Sequence, residues 1–378
     1  MSHNPVQRLR TARRTARRTA LLATALTLTA TLAGCADAQG DQSSSASAAK
    51  SAAPGVPAER CKENQAAGPI TYLTGYQYQA SVGILANIAA DAMGYYSDLC
   101  LNVRIKPGGG NTGSNSQLVA ANTAQFASLG NDAAVLQSVA GGIDVKAVMT
   151  PGHLPIATLI TMSKITSLKQ LDGKTLGHHG ALGPALRAML VKAGVKIGSV
   201  RQVEVGFDPS VLPRGQVQAL AAYKSNEPLQ LKAMGAHIKE WNPEDYGVPG
   251  SFGTTIVNPG FAEKHPHAVE DFLRATLRAQ AYCEKHGAEC VGYAAKAAGS
   301  SYDVKQNEAI WKIESGLADK STPKDRPAGY IDTDSVTAEG KTLIASGDLK
   351  KLPDVESAFD PSYLKAIYNG TKLIWPAG

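Results

Sequence analysis

Residues 101–139, LNVRIKPGGGNTGSNSQLVAANTAQFASLGNDAAVLQSV, carry the pattern that sets the fold. Leu101-Asn102-Val103-Arg104-Ile105 alternates apolar and polar side chains, the period of a strand. A Gly-rich turn follows, and then a helical stretch runs from about Ser114 to Asn122. Phe126-Ala127-Ser128-Leu129 is a short apolar strand, again closed by a Gly-Asn-Asp turn and a helix over 132–139. Strand, turn, helix and strand, with connections this short, predict a parallel-rich α/β sheet.

The same rhythm extends in both directions. Upstream, Ile70-Thr71-Tyr72-Leu73 reads as a strand, and Val82, Ile84, Leu85, Ile88 and Ala92 mark one face of a helix. Downstream, residues 145–149 give another strand. After Leu168 the alternation restarts, with strands expected at 174–177, 203–205, 220–223 and 237–241 and a helix lined by Ala185, Met189, Leu190 and Ala193. Beyond 252–257 the chain is expected to be helical to its end, with Val269, Phe272, Leu273, Thr276 and Leu277 forming one stripe. Asn258-Pro259-Gly260 and Lys264-His265-Pro266 serve as turn and helix start. Two α/β units followed by helices predict two lobes. The first (66–160) is interrupted by the second (161–251) and completed by the return segment 252–378.

The N-terminal stretch reads as an export signal. Arg8, Arg10, Arg13, Arg14, Arg17 and Arg18 precede an apolar run over 20–32, too short for a mature membrane span, which ends in Leu32-Ala33-Gly34-Cys35. Small residues before a cysteine are a lipobox, so residues 1–34 are expected to be removed and Cys35 lipidated. The Arg17-Arg18 pair leaves the general and twin-arginine export routes both open. Residues 36 to about 59, rich in Ser and Ala, lack the apolar surface to offset the entropy of ordering, and a flexible linker is expected over 35–65.

Charge narrows the partners. The chain has 38 Lys+Arg and 32 Asp+Glu, and six of the Arg lie in the signal, leaving 32 of each sign afterwards. A near-neutral mature chain gives no basic face for nucleic acid, and none is expected as a partner. Four further cysteines, Cys61, Cys100, Cys283 and Cys290, suggest two disulfides in an exported protein. Of the three connectivities, sequence proximity favours Cys283 with Cys290, leaving Cys61 with Cys100.

Catalytic signatures are sparse. Gly173-Lys174-Thr175 lacks the earlier glycine of a phosphate-binding loop, because residue 168 is Leu, and the triplet enters a strand. There is no Gly-x-Ser-x-Gly elbow, and neither His178-His179 nor His265-x-His267 has the spacing of a helical metal pair. No cofactor or metal is expected, and binding is favoured over catalysis. The ends of strands offer what a binder needs. Tyr76 and Tyr78 present aromatic faces, and Asn111, Thr112, Ser114 and Asn131 stand in turns that open helices, where N–H groups meet a polar ligand. In the second lobe His179 and Asp208 follow strands. Tyr223, Asn226 and Glu227 set an aromatic, an amide and a carboxylate side by side, suited to the polar edge of a flat heterocycle. Asn226 also reads as a helix cap.

Several of these motifs occur together in one group of proteins. Asp91-Ala92-Met93-Gly94-Tyr95-Tyr96, Leu171-Asp172-Gly173-Lys174-Thr175-Leu176-Gly177, Tyr223-Lys224-Ser225-Asn226-Glu227-Pro228 and Asp245-Tyr246-Gly247-Val248-Pro249 are found in this order. Over about 69–290 the chain resembles the solute-binding proteins of ATP-binding-cassette importers for thiamine-pyrimidine precursors, riboflavin, nitrate, sulfonates and taurine. The Tyr223 and Asp245 motifs resemble the pyrimidine and flavin branches. The resemblance implies a type II periplasmic-binding-protein-like fold, with two α/β lobes joined by a double hinge crossing that close on the ligand. It also implies a permease partner, a membrane-anchored extracytoplasmic location and a monomer. The first loop, Gly75-Tyr76-Gln77-Tyr78-Gln79, departs from the Trp and Pro-Asn common in pyrimidine binders, and the Cys-rich motif of the related fungal pyrimidine synthase is absent. Two other readings stand beside this one: a binder of alkyl sulfonate, taurine or nitrate, and a secreted enzyme of pyrimidine or cofactor metabolism.

Overall fold

The structure is a computed structural model that describes residues 54–376. Cys35 and the signal fall outside the described residues. Two five-stranded sheets organise the rest. In the first, the strands run in the order Asn102–Lys106, Pro69–Leu73, Phe126–Ser128, Thr255–Val257, Lys146–Met149. Pro69–Leu73 is parallel to both of its neighbours, and Thr255–Val257 runs against both of its own. In the second the order is Ile238–Trp241, Ala157–Met162, Ala219–Tyr223, Thr175–His178, Arg201–Glu204. The last three are mutually parallel, and Ala157–Met162 is antiparallel to both of its partners.

The inner strands of each sheet are buried on both faces and read as apolar runs, whereas the edge strands Asn102–Lys106 and Arg201–Glu204 are partly exposed. One face of the first sheet packs on the helices Val82–Ala92 and Pro266–Cys283, with Ile70, Tyr72, Phe126 and Phe272 fully buried. The other packs on Asp132–Ala140 and Thr333–Ala345 through Leu136, Ile256 and Leu343. In the second lobe Leu176, Met189 and Trp241 fill one face and Ile160, Leu220 and Leu231 the other.

Two segments join the lobes, residues 150–156 and 242–254. The expected boundary at 161 falls inside the strand Ala157–Met162, which hydrogen-bonds wholly within the second sheet, so the crossing comes earlier. Where the crossings touch, Gly152 and Phe252 exchange backbone hydrogen bonds of 3.1 and 2.9 Å. A Cβ on Gly152 would lie 2.0 Å from the Phe252 ring, so only glycine lets the two hinge strands meet. Beneath them the buried Asp132 carboxylate accepts from Thr150 (2.8 Å) and Thr254 (2.6 Å), one hydroxyl from each crossing.

The termini differ from expectation. The linker expected over 35–65 ends inside the helix Ala58–Ala66. That helix is bolted down by the Cys61–Cys100 disulfide and by Arg60, which donates to Asp271 at 2.7 Å. The second disulfide joins Cys283 to Cys290, so both pairings follow the proximity argument. At the other end the helices give way to a small hairpin, Tyr368–Asn369 with Lys372–Leu373. No described helix is long and apolar enough to cross a membrane.

Candidate functional site

The parallel strands of each sheet bring three loops to one end. In the first lobe these follow Leu73, Lys106 and Ser128 and are knitted together by two side chains. Thr74 Oγ1 accepts from the Gly108 amide at 2.9 Å, and Asn115 Nδ2 donates to the carbonyls of Thr74 (3.0 Å) and Ser128 (3.3 Å). A Cβ on Gly108 would sit 1.9 Å from the Thr74 carbonyl oxygen, so the glycine is needed for this approach. Tyr76, 42% exposed, lies over Gly110, whose φ of +86° suits glycine. Tyr78 is half-buried against the apolar core and only its carbonyl is engaged, by the Tyr302 hydroxyl at 3.1 Å.

The predicted loop polar groups serve as caps. Asn111 Oδ1 accepts from the Ser114 amide (3.0 Å) at the start of Thr112–Ala120, and Asn131 Oδ1 accepts from Ala134 (2.9 Å) at the start of Asp132–Ala140. The side chain of Ser114 is exposed; that of Thr112 lies outside what is described. The first amides of Asp132–Ala140 are taken by Ser251, Glu339 and Asn131, so it is the start of Thr112–Ala120, rather than the two Asn side chains, that has amides left to offer.

On the facing lobe, His179 directly follows the strand Thr175–His178. Its Nδ1 lies 3.1 Å from the Val205 carbonyl and its Nε2 3.6 Å from Glu227 Oε1. Bonding to Glu227 and to that carbonyl raises the His179 pKa against partial burial. The imidazole stacks on Phe207, with centroids 4.9 Å apart and planes at 22°. Phe207 is 71% exposed, unusual for a phenylalanine, and its ring reaches across to Tyr76 of the first lobe at 6.5 Å. Three aromatic rings thus form a column between the lobes. The sequence reading missed Phe207, though Gly206-Phe207-Asp208 follows directly on a strand end.

Glu227 and Asn226 are placed differently from expectation. Glu227 is buried, and instead of facing outward to ring donors its Oε2 accepts from the Tyr223 amide at 2.8 Å while Oε1 faces His179. Asn226 occupies the cap position of Glu227–Ala233 without making a capping bond. Its Oδ1 accepts instead from Gln230 and from Gln306 of the first lobe, each at 3.0 Å. Asp208 is consumed locally by Ser210 and by Arg214 at 2.6 Å, which hold its carboxyl below the usual range. Tyr223 keeps 53% of its surface open.

One further contact ties the lobes together. Glu314, on the helix Val304–Ser321, accepts from the Val82 amide of its own lobe at 3.0 Å and from the Ser225 hydroxyl of the other at 2.7 Å. Burial pushes its carboxyl up to about 7, against the two hydrogen bonds. Among the described residues no group of three or more His, Cys, Asp or Glu is placed to hold a metal ion.

Known proteins share this architecture. The aliphatic sulphonate binding protein SsuA of Escherichia coli superposes with a TM-score of 0.59 at 14% identity, covering 82% of this chain and 96% of its own. The desulfurization enzyme DSZB does so at 0.53 and 15% identity, over 78% and 98%. At such identities the likeness fixes the periplasmic-binding-protein fold and nothing finer. A formylaminopyrimidine-binding protein of Halalkalibacterium halodurans is 30% identical over 113 residues. That alignment spans 29% of this chain and about a third (34%) of the relative's length. Residues 82–290, more than half of the chain, match the family described as NMT1/THI5 like. That match takes in the hinge, the whole second lobe, and the loops that carry His179, Phe207 and Glu227: the chain belongs to the NMT1/THI5-like family.

Proposed function

We propose that the protein is the extracytoplasmic solute-binding component of an ATP-binding-cassette importer, held at the membrane by a lipid on Cys35. Its ligand is a small planar heteroaromatic of the aminopyrimidine or flavin class, which it delivers to a permease. The observation that carries this reading is the pair Tyr76 and Phe207, one from each lobe, with ring centroids 6.5 Å apart. Two van der Waals contacts of roughly 3.5 Å each are what a flat ring needs when sandwiched between two others. A small opening of the tilted pair meets that requirement, and a tetrahedral sulfonate gains nothing from it. Tyr223 stands beside Glu227 on the same side, and amides at the start of Thr112–Ala120 supply donors to polar substituents. The 30% identity to a formylaminopyrimidine-binding protein supports the same ligand class. Closing two lobes over the ligand is binding chemistry, and catalysis is not part of this reading.

Mass spectrometry of ligand co-purified with the protein, followed by calorimetry with a formylaminopyrimidine, riboflavin, taurine and an alkanesulfonate, tests the proposal. A pyrimidine or flavin is expected to bind and to be recovered intact. Phe207→Ala and Tyr76→Ala should each weaken it by about 1–3 kcal/mol, roughly 5- to 150-fold, the range for loss of one base–aromatic stack. Tight sulfonate binding that both variants leave unchanged would sink the reading, and turnover of the bound compound would favour an enzyme.

A further inference from the structure

An exposed phenylalanine between two lobes needs something to hold its ring in place. Phe207 follows Gly206 on a loop and has only two ring neighbours, Tyr76 at 6.5 Å and His179 at 4.9 Å. The His179 plane lies within 22° of its own. The histidine ring is held at Nδ1 by the Val205 carbonyl, and its buried Nε2, without a hydrogen bond, faces the Glu227 carboxylate at the ion-pair distance of 3.6 Å, so both facing atoms are oxygen acceptors. A neutral imidazole carries one N–H and one lone pair, so either tautomer would set a lone pair against an oxygen. Only the doubly protonated ring satisfies both. Glu227 cannot turn away easily, because its other oxygen is tied to the Tyr223 amide and the side chain is buried.

We propose that Glu227 and the Val205 carbonyl keep His179 as an imidazolium whose face sets the position of Phe207. His179 and Glu227 are then positioning residues, which act on the ligand through the aromatic ring they support. A cation stacked on Phe207 fixes the plane that the ring presents to Tyr76, 6.5 Å away. Other ionisable groups around the column do not change the sign. Asp208, on the same loop as Phe207, is paired with Arg214; His178 is buried on the strand before His179; Tyr223 and Tyr76 are phenols. The raised His179 pKa agrees in direction, with Glu227 as its main cause. The effect on binding rests on the proposed ligand class; the charge on His179 does not.

The test is an NMR titration of the histidine rings in the ligand-free protein with both disulfides intact, the His179 signal being assigned by its loss in His179→Asn. His179 should hold its second proton to a pH above that of free histidine, and Glu227→Gln should lower its midpoint. The ring-current shift of His179 should disappear in Phe207→Ala. In calorimetry with a formylaminopyrimidine, wild-type affinity should fall as pH rises through the His179 midpoint. In His179→Arg, which keeps a planar cation able to stack, it should stay flat. A His179 midpoint at or below that of free histidine, or one that Glu227→Gln leaves in place, overturns the proposal. If the titration behaves as expected and no aromatic ligand binds, the charge assignment stands and it is the ligand reading that fails.

Discussion

Replacing Glu314 with Gln should remove on the order of 3 kcal/mol of pH-dependent destabilisation that sets in as pH rises from about 4.5 to about 7. In the folded protein Glu314 is buried and its carboxyl is pushed from the ordinary 4.5 up to about 7. A carboxyl whose pKa is higher folded than unfolded holds a proton that the unfolded chain has released. Its contribution is fully present below pH 4.5 and is lost as pH rises through 7. At about 1.4 kcal/mol per unit, the loss is on the order of 3 kcal/mol. Gln keeps the shape and has partners for both ends: its carbonyl can accept from Val82, and its amide can donate to the Ser225 hydroxyl. Urea denaturation at pH 4.5 and pH 8 checks this. The variant should match the wild type at the lower pH and exceed it at the higher; a difference that is constant with pH would remove the buried-proton account.

Phe272→Ala should cost about 3–5 kcal/mol, the range for deleting a fully buried aromatic ring. Phe272 projects from Pro266–Cys283 onto the first sheet, stacked on Phe126 at 4.0 Å and 11° and on Tyr96 at 5.1 Å and 14°, with Tyr72 at 5.8 Å. All four rings are completely or almost completely buried, and beside them a hydroxyl pair, Tyr96 with Thr276 at 2.9 Å, holds the helix to Asn87. Neighbouring rings of that size cannot collapse into the gap without breaking this register. Trp311 and Trp375 report on the first lobe and Trp241 on the second, so single-tryptophan fluorescence resolves where stability is lost. The first-lobe midpoint should fall and the second hold; a loss under about 1 kcal/mol would mean that the cluster repacks.

Much of the fold was legible because both sheets are built from repeated strand–turn–helix units, whose periods show directly in the order of apolar residues. Asn102–Lys106 and Phe126–Ser128 fall within a residue of expectation. Ala157–Met162 was overlooked for a physical reason: a strand buried on both faces has no alternation, and a short apolar run looks the same in a helix or a strand. Ala58–Ala66 was read as linker because its composition is polar. What orders it lies far along the chain, in the ion pair with Asp271.

The site was legible to a lesser degree. Residues at strand ends could be chosen by rule, and four of them are neighbours: Tyr76 and His179 both meet Phe207, and Glu227 meets His179 and the Tyr223 amide. Which way each side chain turns was not open to that rule. Asn111 and Asn131 bend back to cap their helices, and Asp208 spends its charge on Arg214. Glu227 faces His179, and Asn226 reaches Gln306, eighty positions along the chain. Phe207 gave no periodic signal, because a single aromatic on a loop has meaning only beside its neighbours.

By itself the sequence determined the alternation of elements, the two α/β units and the pairing of cysteines close along the chain. These depend on local period, composition and chain distance, all of which survive in one dimension. Only the tertiary structure decided that Tyr76 faces Phe207, that Ser225 reaches Glu314, and that both nitrogens of His179 meet oxygen. Each joins residues from different lobes or different strands, and contacts of that kind are fixed by how the sheets close over the hinge.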